Sequence, residues 1–505
     1  MPPDGPANRS PSRLELDDDF TVRRALRSPK RLRVELLAAL VVALALIPEA
    51  IAFSIIAGVD PRVGLYASFL MSITTALVGG RSGLISAATG AVALVVAPVV
   101  PEYGFDFFIA TILLAGVMQI SLSALGVARL MRFIPRSVMV GFVNALAILI
   151  VLSQIPNLVD VPWAVYPITA ASLVLLVTMP RVTRAIPAPL VTVALATTAV
   201  ALFSLDVPTV GDEGDLPSSL PSLFFPDVPW TLETLRIIAP YAFGVAMVGL
   251  LESLMTAKLV DDITDSHSDK TRVGFGQGIA NVVTALFGGL GGCAVVAQTM
   301  INVKESGART RLSTFMAGVW LMVLVLGLGG VVEKIPMAVL AAIMIMASVS
   351  TFDWHSIRPS TLRRLPASAT TIMVATVVVT VTTHNLAYGV IVGVIVAMVF
   401  FARRVAHFTE VEAIDVEDDT RIYVVRGALF FASSNDLIYQ FDYPGDPDNV
   451  VIDLTNAQIY DSSTVATLDA IVAKYAVRGK TVSLIGIDEP SAKWHALSGQ
   501  LGAGH

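Results

Sequence analysis

The sequence predicts an α-helical polytopic membrane protein, built as two inverted seven-segment repeats and followed by a small α/β domain. Three observations predict this. Of 505 residues, 55% are apolar and only 15% charged, with a mean hydropathy of +0.74; soluble domains carry about a quarter charged residues. From Arg33 to Arg404, apolar stretches of span length alternate with short polar breaks. One string also recurs, RVGLYASFLMSITTALVGG at 62–80 and RVGFGQGIANVVTALFGG at 272–289.

Composition excludes several classes at once. A soluble enzyme or a disordered chain does not carry this much apolar surface. With 34 Lys and Arg against 40 Asp and Glu, the net charge is −6, so no basic surface awaits a nucleic acid. The single cysteine, Cys293, rules out an intramolecular disulfide framework and a Cys-rich zinc site. No GxSxG, HExxH or P-loop pattern occurs, and GFGQG at 274–278 lacks the preceding strand that a nucleotide fold needs. The chain is therefore not expected to be an enzyme, and no cofactor is expected.

Residues 1–32 read as a cytoplasmic arm. They hold Asp17-Asp18-Asp19 and then Arg23, Arg24, Arg27, Lys30 and Arg31, too long and too charged for the n-region of a signal peptide. The transport domain is expected at 33–405, with repeats at about 33–205 and 233–405. A helix crossing the hydrocarbon core needs about 20 residues. The segments fall at 34–57, 61–79, 84–97, 107–126, 134–155, 163–179, 186–205, 233–259, 273–289, 293–303, 311–330, 335–350, 367–384 and 386–402. The third and tenth are too short to cross alone.

Charge sorts these segments across an inner membrane. With both termini cytoplasmic, the inner loops hold seventeen Lys and Arg, including Arg81, Arg129, Arg132, Arg184, Lys258, Lys270 and Arg363. The outer loops hold three, Arg62, Arg236 and Lys334, as the positive-inside rule demands. The long 206–232 loop carries five acids and no base, and belongs outside.

The repeat explains the short segments. Each copy ends in Gly-Gly and leads into a short run, GLISAATGAVALVV or GCAVVAQTMINV. Seven segments separate the copies, so they enter the membrane in opposite senses. A helix that begins mid-membrane presents unpaired N–H groups and a partial positive charge. Two such ends facing each other attract an anion without Lys or Arg. The expected amide donors are Ala88-Thr89-Gly90-Ala91 and Ala297-Gln298-Thr299-Met300.

Two acids stand where acids are expensive. Glu49 follows Pro48 in the first span, and Glu252 lies in VGLLESLMTAK of the eighth. Buried carboxyl groups at membrane depth usually face a cavity and move ions or protons. Their structural alternatives are that Glu49 caps backbone freed by Pro48, or that Glu252 reaches the interface near Lys258. His267, His355 and His384 read as solvated loop or span-end residues.

Together, PEAIAFSIIAGVDPRVGLYASF, GGRSGLISAATGA, LLESLMTAKLVDDITD and GQGIANVVTALFGGLGGCAVVAQTMINVKESGARTRLS resemble the SulP anion transporters, the group of sulfate permeases, bicarbonate transporters, pendrin and prestin. The resemblance threads most of residues 30–405. It implies a core and a gate domain, a homodimer, and an anion held between the first, third, eighth and tenth helices. Carried over by position, Glu49, Ala52, Phe53, Thr89, Gly90, Ala91, Glu252, Gln298 and Thr299 line that pocket. Many relatives have Gln where Glu49 stands, and the animal exchangers and motors place an Arg near Thr299. Acids beside an anion are sensible when one is protonated, which favours proton symport, with Glu252 and Glu49 as carriers. The rival is sodium coupling, with Glu252, Thr256 and Thr299 as oxygen ligands. Sulfate, bicarbonate, chloride and dicarboxylates all fit such a pocket, and exchange stays open beside symport.

Past residue 405 the pattern is soluble. RIYVVRGALFFASS reads as two strands broken by Gly427, NVVIDLTNA as a buried strand, SSTVATLDAIVAKYAVRGK as a helix, TVSLIGI as a strand and SAKWHALSGQL as a last helix. This 406–505 domain looks like a STAS domain. Asp461-Ser462-Ser463 matches its Asp-Ser pair, which implies Ser462 as a phosphoacceptor and a cytoplasmic regulatory partner; the alternative is an ordinary N-cap. A receptor that uses the spans only as an anchor is the remaining rival.

Overall fold

Proline opens many of the helices, because its missing N–H is not needed in the first turn and its fixed φ suits the helix. In the computed structural model, which describes residues 21–127, 134–182, 187–406, 410–417, 419–431, 433 and 437–487, all fourteen expected segments are helical. They are α1 Pro29–Ile56, α2 Pro61–Val78, α3 Gly90–Val96, α4 Phe105–Ala124, α5 Arg136–Ser153, α6 Val165–Val182, α7 Ala188–Leu202, α8 Leu232–Thr264, α9 Lys270–Leu286, α10 Val296–Met300, α11 Arg311–Val332, α12 Met337–Thr351, α13 Ala367–Thr383 and α14 Leu386–Ala406. After a break at Ala97-Pro98, α3 continues as Val99–Tyr103, and α10 runs into a π turn, Ile301–Glu305. Among the described residues, eight helices are long and apolar enough to cross a membrane; α3, α7, α12 and α13 are shorter apolar helices. Most of the arm (1–20), Arg129, Arg132, Arg184, the expected last helix at 491–501 and residues 502–505 lie outside the described residues.

The packing carries the inverted repeat. Helix α9 packs on α4 as α11 packs on α2, α8 on α4 as α11 on α1, and α13 on α5 as α12 on α6. Adding or subtracting seven turns each contact into its partner. Glycine allows the closest crossings. A Cβ on Gly116 of α4 would lie 2.8 Å from the Gly278 carbonyl of α9, and one on Gly318 of α11 would lie 2.9 Å from the Phe69 carbonyl of α2. The contacts sort the helices into two bundles, α1–α4 with α8–α11 and α5–α7 with α12 and α13; α14 joins the second where Gly389 and Gly393 approach Thr376 and Thr380 of α13.

The approach to each short helix is a strand, which the sequence reading did not anticipate. Strands β1 (Ser86–Ala88) and β2 (Gly292–Ala294) pair antiparallel, with Ala87 opposite Cys293. Three residues of Ala, Gly and Ser show no alternation from which to read a strand. The ladder requires glycine at 292, where any Cβ would collide with the Ala87 carbonyl.

The chain divides into compact units at Val394 and Ile395. The second contains a four-stranded sheet in the order β3 (Glu410–Glu417), β4 (Thr420–Leu429), β5 (Asn449–Ile459), β6 (Thr481–Ile485), with α15 (Ser462–Ala476) after β5. The first pair is antiparallel and the others parallel. Gly427 does not break β4, a correction to the two-strand reading. It takes φ +114° within one strand, just past a register shift between Val424 and Arg426, so the glycine serves a bulge. The buried Asp446 carboxylate accepts from Arg421 at 2.8 Å and from the Tyr423 and Tyr475 hydroxyls. Burial, then the bond to Asp446, pushes the Tyr475 hydroxyl above its ordinary range.

Candidate functional site

The site grows from side chains that hold the β1–β2 ladder in place. In α2, Ser72 donates to the Ser86 carbonyl at 2.9 Å, and Ser68 accepts from the Ala88 amide at 3.3 Å. At equivalent places in α9, Asn281 takes both backbone groups of Gly292, at 2.9 and 3.1 Å, and Gln277 donates to the Ser86 hydroxyl at 2.6 Å. Ser253 of α8 accepts from the Ala294 amide. All five side chains are buried. In a medium without water a strand's polar groups must find such partners.

With the strands fixed, α3 and α10 begin at opposite ends of the antiparallel ladder, α3 after Ala88 opposite Gly292 and α10 after Ala294 opposite Ser86. Thr89 is the N-cap of α3, with extended backbone, and its side chain makes no capping bond. The first-turn amides of Gly90, Ala91 and Val92 therefore have no partner within the helix, while the next, Ala93, donates to the Thr89 carbonyl. In α10 the N-cap is Val295, so the open amides are those of Val296, Ala297 and Gln298. This corrects the expected donors. The Thr299 amide bonds Val295 and the Ala88 amide bonds Ser68, so neither is available, and Met300 lies one residue deeper. The cause is an apolar N-cap, which gives no sequence signal.

The acids meet these helix starts. Glu252 is buried, and Cys293 in the middle of β2 donates its thiol to Glu252 Oε2 at 3.0 Å. The same sulfur lies 3.2 Å from the Thr89 hydroxyl. Thr89, Cys293 and Glu252 thus form one chain from the first half-helix to the eighth span. Lys258 pairs with Asp262 at 3.3 Å, which removes the interface reading of Glu252. The Glu49 carboxyl faces the side-chain amide of Gln298, linking α1 to α10. Ala52, Phe53 and Ala91 are buried. A Cβ on Gly90 would sit 2.7 Å from the Phe53 ring and 3.2 Å from Ile150 of α5, so α1 and the second bundle both close on the start of α3.

Not every expected residue faces the same space. The Thr299 hydroxyl is held on the Ile85 backbone at 3.0 Å, where it braces β1. Thr256 donates to the Glu252 carbonyl at 2.7 Å and lies 3.4 Å from the Ala294 carbonyl. Among the described residues, no cluster of three His, Cys, Asp or Glu side chains could hold a metal ion. Cys293 entered the sequence reading only through its solitude; its position three residues before the short helix was the available signal. In the second unit, Asp461 caps α15 by accepting from the Thr464 amide, and its other oxygen accepts from the Phe431 amide at 2.6 Å. Ser462 is exposed at the first position of that helix.

Comparison with known proteins follows the same lines. The profile described as the sulfate permease family matches residues 32–167 and 157–376. The chain is 49% identical over 476 residues to the "Putative sulfate transporter YbaR" of Bacillus subtilis, spanning 94% of this chain and 98% of that protein. It is 25% identical over 511 residues to the bicarbonate transporter BicA of a Picosynechococcus species, spanning 90% and 89%. Among solved structures, the transmembrane domain of a cyanobacterial BicA aligns with a TM-score of 0.63 at 26% identity, covering 71% of this chain and 97% of that one. The murine Slc26a9 anion transporter in the inward-facing state aligns with a TM-score of 0.80, covering 99% and 93%; at 16% identity the likeness is one of fold.

Proposed function

This chain belongs to the sulfate permease family of anion transporters, and from that premise we propose that it is a proton-coupled symporter of small anions working by alternating access. The anion sits at the starts of α3 and α10, attracted by the first-turn amides and walled by Glu49, Ala52, Phe53, Gly90, Ala91 and Gln298. Glu252 carries the proton, with Glu49 as a second carrier. The observation that supports this best is the unbroken contact from Thr89 through Cys293 to Glu252, which puts a buried acid one side chain away from the anion's place. A charged acid there repels the anion and a protonated one does not, so binding of the two is cooperative.

The substrate class is sulfate, bicarbonate or a dicarboxylate, of which the relatives' names carry the first two. Both termini face the cytoplasm of a bacterial inner membrane, by the loop charge rule, and two copies form the working unit. The second unit takes a cytoplasmic regulatory partner, with Ser462 as its modifiable residue. One observation favours a sodium reading as the alternative: the Thr256 hydroxyl, one turn beyond Glu252, lies 3.4 Å from the Ala294 carbonyl of β2, and a hydroxyl that donates still has lone pairs for a cation.

The test is uptake of labelled sulfate, bicarbonate and succinate into proteoliposomes under imposed gradients. An outside-acid gradient should accelerate uptake at least severalfold, with sodium replacement changing little. Uptake that requires sodium and ignores pH would replace the proton reading with the cation site, and uptake driven only by a counter-anion would make the protein an exchanger.

A further inference from the structure

The chain passes between the two bundles three times, at 124–136, 202–232 and 332–337. The second and third passages lie on the same side of the bundles and are bonded to each other. Thr209 and Pro336 form an antiparallel bridge. The Val210 amide donates to the Ile335 carbonyl at 2.9 Å, Gly211 to Glu333 at 3.0 Å, and Met337 to Pro208 at 2.9 Å. The Asp212 carboxylate closes the turn by accepting from the Thr209 amide and hydroxyl, each at 2.8 Å.

Packing changes hands at this bridge. Val207 packs with Val165 and Val200 of the second bundle. Three residues later Val210 is fully buried with Leu46, Leu321 and Val332 of the first. Beyond it the loop fastens to the first bundle alone: the Arg62 amide donates to Asp215, the Tyr66 hydroxyl to Ser219, and the Phe224 amide to Leu286. The chain therefore leaves one bundle and joins the other within a few residues, and it does so beside Pro208 and Pro336, where the ring fixes φ.

We infer that the paired stretch Pro208–Asp212 and Glu333–Met337 is the hinge on which the two bundles turn, and that it stays zipped throughout the transport cycle. Hinges are short segments at element ends that absorb a rotation while their surroundings move as bodies. Two separate tethers would let the bundles slide in several directions. Two tethers joined by three backbone bonds form one plate with a single bending line. The inference rests on the alternating-access reading above.

Cysteine pairs test it. Thr209 and Pro336 are a non-hydrogen-bonded antiparallel pair, with Cα atoms about 4.5 Å apart, a separation a disulfide spans. The contrasting pair is Gly244 of α8 and Ala387 of α14, across the bundle interface, where a Cβ on Gly244 would lie 3.7 Å from that of Ala387. Cys293 is fully buried and can remain. Oxidised Thr209→Cys/Pro336→Cys protein should keep labelled sulfate, bicarbonate or succinate uptake within twofold of its reduced form. Oxidised Gly244→Cys/Ala387→Cys should lose it at least tenfold and regain it with dithiothreitol. Loss of uptake in the first pair on oxidation, restored by reduction, overturns the hinge. Transport that survives both crosslinks removes the motion itself, and with it the alternating-access reading. In wild-type protein, the Val210, Gly211 and Met337 amides should resist hydrogen exchange with and without each anion. Exchange as fast as that of the exposed loop around Gly214 overturns the proposal without any variant.

Discussion

The two repeats give the site the same backbone and different chemistry. In both, a helix ends at a glycine pair, a three-residue strand follows, and a short helix starts at the strand's end. In the first repeat the strand is held by the small hydroxyls Ser68 and Ser72, and the N-cap is polar, Thr89. In the second it is held by the larger amide of Asn281 together with Ser253, and the N-cap is apolar, Val295. The second strand also carries Cys293 next to Glu252. Symmetry builds the scaffold, two short helices that start at the ends of one ladder with open first-turn amides. On the proposed reading, asymmetry gives the halves separate duties, an anion-side hydroxyl in the first and a proton-side acid in the second.

The largest test of that division is Glu252→Gln. Glutamine keeps the shape and an acceptor for the Cys293 thiol but has no proton to release. Uptake driven by an outside-acid gradient should fall by two orders of magnitude or more, while folding and anion exchange persist. If accumulation in the variant keeps its full pH dependence, the coupling duty passes to Glu49 and the first repeat.

A smaller contrast separates the two clamps. Asn281 bonds both backbone groups of Gly292 and the Gln119 side chain at 2.8 Å, whereas Ser72 makes one bond to the Ser86 carbonyl. A net hydrogen bond contributes about 1 kcal/mol, and each buried group left unpaired adds about 1–3 kcal/mol. Asn281→Ala should therefore destabilise the purified protein by about 3 kcal/mol or more, and Ser72→Ala by about 1–2 kcal/mol. Thermal unfolding in detergent reads both. Equal losses would mean that the ladder is held by helix packing, with the clamps incidental.

Sequence and structure agree where the signal is long and part where it is short. Hydropathy runs located all fourteen segments, because a span is long enough to average over. The repeated RVG and TALxGG strings located both half-helices, since those residues sit at the glycine crossings that inverted packing needs. The ladder escaped because Ser86-Ala87-Ala88 and Gly292-Cys293-Ala294 are too short and too uniform to show a two-residue period. The amide register slipped in the second half for a related reason: Val295 does not look like a cap. In the second unit, β3 (Glu410–Glu417) has no counterpart in the sequence reading, and Gly427 forms a bulge within β4 where its residue type suggests a break. Side chains whose partners are remote, such as Cys293 with Glu252, lie beyond any pattern in one chain.

The finest test sets the two threonines against each other. Both were expected to line the pocket, yet their hydroxyls have different partners. Thr299 braces β1 through the Ile85 backbone, so Thr299→Ala removes a structural bond and should lower stability by about 1 kcal/mol while leaving anion affinity nearly unchanged. Thr89 makes no capping bond, and among the described residues its hydroxyl bonds only Cys293, beside the open amides. Thr89→Ala should leave the melting temperature almost unaltered and weaken anion binding by about 1 kcal/mol, roughly fivefold in Kd. Titration of each purified variant with sulfate, bicarbonate and succinate, beside its melting curve, supplies both numbers. The expected outcome is a crossed pattern, one variant changed in stability and the other in affinity. If the pattern reverses, the anion lies at the second half-helix; if both variants lose both properties, the two threonines share one duty and the division between the repeats is too sharp.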